Sequence, residues 1–453
     1  MIKWYRDNSG LYISKEFFNE NTKKYFTLKN LKKQYNQRLN IWGWQKMPDE
    51  IKYYIVWNKY IKVPVGFYWT HQEKFEDKYI YNEVKHPKFL WKLYEDQAEK
   101  VWELLKNDVW FMYATTWVGK GVMIPYIASQ LNCKTLIIVP WIQLLNEMTE
   151  RIENLLWVTP KTIWGKAQSK KLDVYEMITV ATIDSVVKLN TKEYDCILVD
   201  EFDKIIHSEK RQEFIKKLTP KYLYWFTWTI KLNHIDNRLI NILFWEKIDF
   251  IKKNFIPTIY NVHTTYTSEL CYDDMKEFVQ LNSEILIDDV RNNLIVDTVY
   301  KSVTEWEMKH DLVLTNRLDQ IPVLVHKLEN KNIKVFVVKW EDSKEDRENT
   351  ISMFKDCEQA VLIWSAQILS RWFDCPILQS VHLIYPCTFD MLIVQSCGRV
   401  MREYPQKTYC NIYSYSDTKH PFLHRQSNNR LKAMKNEYWS NVEIINIMEW
   451  TLF

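Results

Sequence analysis

Ala114-Thr115-Thr116-Trp117-Val118-Gly119-Lys120-Gly121 stands between an apolar run, Val109-Trp110-Phe111-Met112-Tyr113, and a second stretch from Val122 to Leu131. The first run reads as a buried strand and the second as a helix. A strand that feeds a Gly-Lys pair into a helix start turns backbone N–H groups and the positive helix end towards one point. That is the layout of a phosphate-binding loop, in which Lys120 reaches the β and γ phosphates of a nucleotide. At position 117 the backbone must approach the phosphates, and the turn there often needs φ > 0. Glycine meets both demands without steric cost, whereas the sequence holds tryptophan.

The oddity at Trp117 runs through the whole composition. The chain has 7 Gly and 21 Trp. Average usage of about 7% calls for roughly 30 glycines in a chain of this length, and the two counts together nearly reach it. A gene that reads UGA as glycine, translated with UGA as tryptophan, accounts for both totals. On that reading several tryptophans are native glycines. The alternative is a chain truly rich in tryptophan, with a loop unable to hold phosphate.

A length of 453 residues suggests two or three domains at ~150 residues each. The 47% hydrophobic and 26% charged residues fit an ordinary globular protein and exclude a disordered chain. Apolar runs stay short of a membrane span, and Met1-Ile2-Lys3-Trp4-Tyr5-Arg6 leads into polar sequence without the apolar core of a signal peptide, so a cytoplasmic protein with no membrane partner is expected. A net charge of +4 is too small to demonstrate a nucleic-acid partner. The 8 cysteines are scattered singly, without C-x-x-C or zinc spacing, and read as reduced thiols.

Residues 1–85 are expected to form a small α+β accessory domain, with short alternating stretches at Lys52–Val56 and Tyr60–Pro64 and a modest basic and aromatic cluster, Lys23-Lys24-Tyr25-Phe26. Gln97 opens an amphipathic helix before the loop strand, and its amide can pair with an adenine edge. Further strands are expected at 134–140, 177–181, 196–199 and 222–226. The second of these ends in Thr182 and Ser185, whose hydroxyls suit a nucleic-acid backbone. The next ends in Asp200-Glu201-Phe202-Asp203, which sets two carboxylates where a P-loop enzyme keeps Mg²⁺ and a water-activating base. Strands alternating with helices predict a doubly wound parallel sheet with ligands at the carboxyl ends. The second half repeats the pattern, with strands at 311–315, 333–338, 359–363 and 381–385, before Arg399 and Arg402 on one helical face.

From about residue 91 to 415 the chain resembles superfamily 2 helicases, particularly the viral and restriction-type DNA helicases and translocases. An adenine-reading Gln matches Gln97, the Walker A loop matches 114–121, and Walker B matches Asp200-Glu201-Phe202-Asp203. The Thr-Gly-Thr coupling motif matches Thr227-Trp228-Thr229. Trp364-Ser365 through Arg371-Trp372-Phe373-Asp374 looks like Gly-Thr … Arg-Gly-x-Asp, and Gln395 to Arg402 matches Gln-x-x-Gly-Arg-x-x-Arg. Trp117, Trp228, Trp364 and Trp372, with Trp91 and Trp340, stand where the family has small residues, and recoding covers them together. Gly121 replaces the Thr or Ser whose hydroxyl ligates Mg²⁺, and recoding does not repair it.

The resemblance implies two tandem RecA-like domains after the accessory domain: residues 86–250 bind ATP, 251–284 form a linker, and 285–453 form the helicase C-terminal domain. ATP and Mg²⁺ are the implied cofactors. Gln97, Thr116, Trp117, Val118, Gly119, Lys120, Gly121 and Asp374 hold the nucleotide. Asp200 holds the metal, Glu201 polarises water, and Arg399 with Arg402 completes catalysis alongside Lys120. Thr182, Ser185, Thr227, Thr229, Ser365 and Gln395 contact nucleic acid or couple it to hydrolysis. The implied activity is that of an ATP-dependent DNA helicase or double-strand DNA translocase, acting as a monomer on single-stranded, branched or double-stranded DNA. An RNA helicase remains open, as does an inactive nucleic-acid-binding homologue if the tryptophans are real.

Overall fold

The structure is a computed structural model. It describes residues 4–448 apart from a few single positions and short segments, chiefly 39–44, 68–74, 115–117, 169–173, 228–237, 244–246, 251–256, 271–274, 305–308, 366–374, 386–396, 399–403 and 439–443. The chain divides into two units, Met1–Lys252 and Lys253–Phe453.

The first unit begins with a five-stranded sheet built from β1 (Trp4–Asp7), β2 (Gly10–Ser14), β5 (Ile55–Val56), β6 (Tyr60–Val63) and β7 (Phe75–Asp77) in the order β5-β6-β2-β1-β7. A small ribbon of β3 (Thr27–Lys29) and β4 (Glu50–Lys52) lies among helices α1 (Glu20–Tyr25) and α2 (Leu31–Arg38). The basic cluster seen in the sequence is partly spent inside this domain, since Phe26 is fully buried and Lys23 pairs with Glu20. Arg6 ties the domain to the strand-and-helix layer that comes next in the chain. It is buried, donates to Asp108 Oδ2 at 2.8 Å and to the carbonyls of Pro220 and Lys221 at 3.2 and 2.5 Å. Tyr79 OH donates to Asp195 at 3.1 Å and Tyr53 OH to Gln212 at 3.2 Å. Phe26, Leu28 and Ile61 share one apolar core with Phe202, Leu218 and Trp225, so the accessory domain covers a face of the next sheet.

After helix α3 (Glu95–Leu105) come β8 (Val109–Ala114), α4 (Lys120–Gln130), β9 (Thr135–Val139), α5 (Ile142–Leu156), β10 (Pro160–Trp164), β11 (Ala167–Gln168), β12 (Tyr175–Thr182), β13 (Cys196–Val199), β14 (Tyr222–Thr227) and β15 (Lys247–Phe250). They form an eight-stranded sheet in the order β11-β10-β12-β9-β13-β14-β8-β15. All pairs are parallel except β10 with β11. The strands read from the sequence are present because both faces are covered: Leu136, Ile137 and Ile138 are all fully buried, and buried parallel strands read as continuous apolar runs. Helices α3, α4 and α5 pack on the opposite face to the accessory domain, through Val101, Met123, Ile127, Met148 and Ile152.

The second unit carries a seven-stranded, wholly parallel sheet: β16 (Thr258–Thr264), β17 (His310–Thr315), β18 (Val335–Val338), β19 (Ala360–Ser365), β20 (Ser380–Leu383), β21 (Asn411–Asp417) and β22 (Ile444–Met448). The order is β18-β19-β17-β20-β21-β16-β22. The stretch read from the sequence as a linker, 251–284, includes β16 and the start of the helix Met275–Ile287. Both large sheets are α/β, parallel and of the kind found in tandem RecA-like domains. Among the described residues no helix is long and apolar enough to cross a membrane.

Candidate functional site

Parallel pairing sends the ends of β8, β9, β12, β13 and β14 to one edge of the first sheet, and Thr182, Asp200, Glu201 and Thr227 lie at or just after those ends. Just after β8 and the loop, Gly119 caps helix α4 with φ 84 and ψ 34, a left-handed conformation. Torsion is what calls for glycine at 119, and a Cβ there, 2.5 Å from Gln97 Nε2, would also push the Gln97 amide aside. Gln97 in turn secures the loop: Nε2 donates to Val118 O at 2.9 Å while Oε1 accepts from Tyr94 N at 3.1 Å. Both polar atoms of the amide therefore hold backbone.

Lys120 occupies the first turn of α4 and is buried, at 7% exposure. Its Nζ donates to Ala114 O at 3.4 Å and lies 3.5 Å from Glu201 Oε1. Asp200 follows β13, is buried, and is anchored by its N–H to Ile138 O at 2.9 Å. Asp200 Oδ1 accepts from Glu201 N at 3.0 Å. Glu201 has φ 51, a conformation that non-glycine residues seldom hold and that clusters at functional sites. The acidic pair and the loop lysine thus come together although about 80 positions separate them in sequence.

Thr182 and Ser185 pair through their hydroxyls at 2.9 Å, and Ser185 Oγ accepts from Gly165 N at 2.8 Å. This clamps the end of β12 to the turn after β10. Thr227 ends β14 in register with Tyr113 of β8 and is fully buried. Ser365 ends β19, buried and in register with Thr315, in the second sheet. Thr116, Trp117, Thr229, Asp374, Gln395, Arg399 and Arg402 lie outside the described residues.

Gly121, the second residue of α4, has no hydroxyl to offer a metal. A Cβ there would fall 1.7 Å from Arg151 Nη1. Sequence reading missed Arg151, because a residue on the following helix carries no local sign of this approach. The described residues contain no group of three or more His, Cys, Asp or Glu set to hold a metal. The features that fit a nucleotide are the left-handed Gly119 and a buried lysine at a helix start. For Mg²⁺ the fit is partial, with Asp200 in place and no hydroxyl at 121.

A parallel α/β sheet with a Gly-Lys helix start beside an Asp-Glu pair, in a chain that builds two such sheets, is the arrangement that the resemblance to superfamily 2 helicases and translocases implies. The family described as type III restriction enzyme, res subunit, matches residues 91–232, which span Gln97 to Thr229. The chain is 23% identical over 304 residues to the transcript termination protein OPG145 of monkeypox virus, covering 63% of this chain and 61% of that protein. It is 23% identical over 351 residues to the DNA 3′-5′ translocase XPB2 of Sulfurisphaera tokodaii, covering 68% of this chain and 78% of that one. The chain thus spans less than two thirds of the first of these relatives. In fold it is similar to S. cerevisiae Dbp5 bound to RNA and ADP BeF3, with a TM-score of 0.53 and 15% identity, covering 80% of this chain and 91% of that one. It is also similar to the type ISP restriction-modification enzyme LlaBIII bound to DNA, with a TM-score of 0.56 and 14% identity, covering 82% of this chain and 32% of that one.

Proposed function

We propose that the chain is an ATP-dependent DNA helicase or double-strand DNA translocase that couples ATP hydrolysis to nucleic-acid remodelling. The observation that carries this reading is the convergence of Gly119, Lys120, Asp200 and Glu201 on one sheet edge, with Lys120 Nζ 3.5 Å from Glu201 Oε1. When bound, ATP supplies the phosphoryl group whose transfer to water drives movement, and Mg²⁺ spreads its charge. Lys120 then exchanges its contact with Glu201 for phosphate oxygens. Glu201, relieved of the ammonium, is left to orient and polarise water, and Asp200 is the residue placed to hold the metal. Gln97 fixes the loop and meets the base, while Arg399 and Arg402 stabilise charge on the transferring group. Thr182, Ser185, Thr227 and Ser365 sit at strand ends suited to backbone contact and coupling.

DNA is preferred over RNA because the matching family is described as a restriction enzyme subunit and one relative is named a DNA translocase. The same reading takes Trp117, Trp228, Trp364 and Trp372 as glycines written by UGA. Trp157 supports it from the backbone: it holds φ 55 and ψ 34 at the end of α5, the left-handed position that glycine favours. The test is ATP hydrolysis by the Trp117→Gly chain with no nucleic acid, duplex DNA, single-stranded DNA or RNA. Stimulation by DNA, abolished in Lys120→Ala and lowered more than about tenfold in Arg399→Ala and Arg402→Ala, is expected of a phosphoryl-transfer site completed by arginines. Hydrolysis that ignores every nucleic acid overturns the reading. Stimulation by RNA alone replaces DNA as the track.

A further inference from the structure

The space that a side chain at position 121 would fill is taken by a guanidinium. The ideal Cβ position on Gly121 lies 1.7 Å from Arg151 Nη1, 2.5 Å from Cζ and 3.1 Å from Nε. The glycine is not a recoded tryptophan, so the vacancy holds under either reading of UGA. Helices α4 and α5 pack side by side through Met123, Ile127, Met148 and Ile152, and the Arg151 guanidinium lies against Gly121 in the first turn of α4. Arg151 is half exposed, and its ion pair among the described residues is a distant one, to Glu147 Oε2 at 3.9 Å. Its charge is therefore weakly committed within the protein.

We propose that Arg151 is a phosphate-binding residue of the nucleotide site and that the Gly121–Arg151 pair replaces the hydroxyl that would hold Mg²⁺. This rests on the nucleotide-binding reading above. A guanidinium keeps its charge at any working pH and presents N–H donors in a planar fork that matches phosphate oxygens two at a time. Set at a helix start, it adds to the positive end of the dipole and to the Lys120 ammonium. Lys120 is itself close to a carboxylate, so a second cation is what neutralises a triphosphate when the hydroxyl is lacking. Nucleotide binding should consequently depend less on the divalent ion than in a loop that carries Thr or Ser.

The test measures binding of a fluorescent ATP analogue to the full chain carrying Trp117→Gly, once with Mg²⁺ and once with EDTA. The parent is expected to bind in both, within about threefold. Arg151→Ala should lose at least about tenfold in EDTA, the scale of a charge-assisted contact, while melting like the parent because the side chain is half exposed. Arg151→Lys should recover part of the loss. Gly121→Thr alone should weaken binding by crowding the guanidinium, and Gly121→Thr with Arg151→Ala should restore binding in Mg²⁺ only. Equal affinity of parent and Arg151→Ala in both media overturns the proposal and leaves the nucleotide site intact. A parent that binds in neither medium overturns the nucleotide reading, and this proposal with it.

Discussion

Lys120 Nζ lies 3.5 Å from Glu201 Oε1, and the two side chains are only 8% and 14% exposed. Each is thereby a charge partner of the other before any nucleotide arrives. Glu201→Gln keeps the shape of the side chain while removing the carboxylate, so the lysine is left freer to take phosphate and the water loses its base. ATP affinity is expected to hold or rise, while hydrolysis falls about 10²–10⁴-fold, the usual worth of a general base. Single-turnover hydrolysis and analogue binding, read on the same preparation, decide it. Parental turnover would show that another group activates water.

Gln97 joins the start of α3 to the phosphate loop by its bond to Val118 O. Gln97→Ala removes that bond and also opens space beside Gly119, which holds φ 84. The net worth of such a bond is about 1 kcal/mol, so ATP binding should weaken roughly fivefold, and more for ATP than for GTP if the amide also reads adenine. Equal losses for both nucleotides would confine Gln97 to holding the loop.

The side chains explain why some of this was legible in the sequence and some was not. Strands β9, β13, β14, β17 and β19 are buried on both faces, and their apolar runs can be read directly. Strands β16 and β21 lie well inside the second sheet yet carry Asn261, His263, Ser414, Ser416 and Asp417. Part of this polarity is satisfied across the pair, with Ser416 Oγ donating to Asn261 Oδ1 at 2.6 Å and Thr264 Oγ1 to Asp417 Oδ1 at 2.7 Å. Arg291 Nε completes the set on Asp417 at 2.8 Å. Hydropathy cannot distinguish such a polar interior from a surface loop. At the site, the loop and acidic pair were legible because their chemistry sits on consecutive residues, whereas the approach of Arg151 to Gly121 is a property of helix packing.

Arg6 makes three bonds that cross from the accessory domain to the nucleotide-binding sheet, at 1% exposure. Arg6→Met leaves Asp108 without its cation and two carbonyls without a donor. Breaking one side of a buried charge pair costs about 3–5 kcal/mol, and urea unfolding should show that loss in the first unit. A change under about 1 kcal/mol would mean that water replaces the guanidinium at little cost.

His86 is buried between Cys133 O, 2.8 Å from Nε2, and Tyr175 OH, 3.0 Å from Nδ1. Burial pushes its pKa below the usual value, against the raising effect of the Cys133 carbonyl. The unfolded chain then takes up a proton at a higher pH than the folded one. The stability is fully present above the unfolded value, about 6.5, and is lost as pH falls from there towards the lower folded value. His310 shifts in the same direction in the second unit. Melting temperature should fall from about pH 7 to about pH 5, and His86→Gln should flatten the part that belongs to the first unit. A melting curve indifferent to pH over this range would show both imidazoles charging freely in the folded state.

Trp157 and Trp364 separate the two readings of the tryptophan excess. Trp157 is 80% exposed and sits in the left-handed region at the end of α5. Its indole buries little, while the conformation costs a residue bearing Cβ roughly 1–2 kcal/mol. Trp157→Gly should therefore stabilise the chain by about 1 kcal/mol in thermal or urea unfolding, and a loss of stability would remove this support for recoding. Trp364 makes the harder demand. It is fully buried in β19, in register with Leu314 of β17 and Val338 of β18, so deleting a native indole there should open a cavity worth about 3–5 kcal/mol. If position 364 is a glycine written by UGA, Trp364→Gly leaves the fold intact and the Trp117→Gly chain still binds ATP. A loss of the full cavity cost, or UGG codons at 117, 228, 364 and 372, shows the tryptophans to be native and the phosphate loop to be closed to nucleotide.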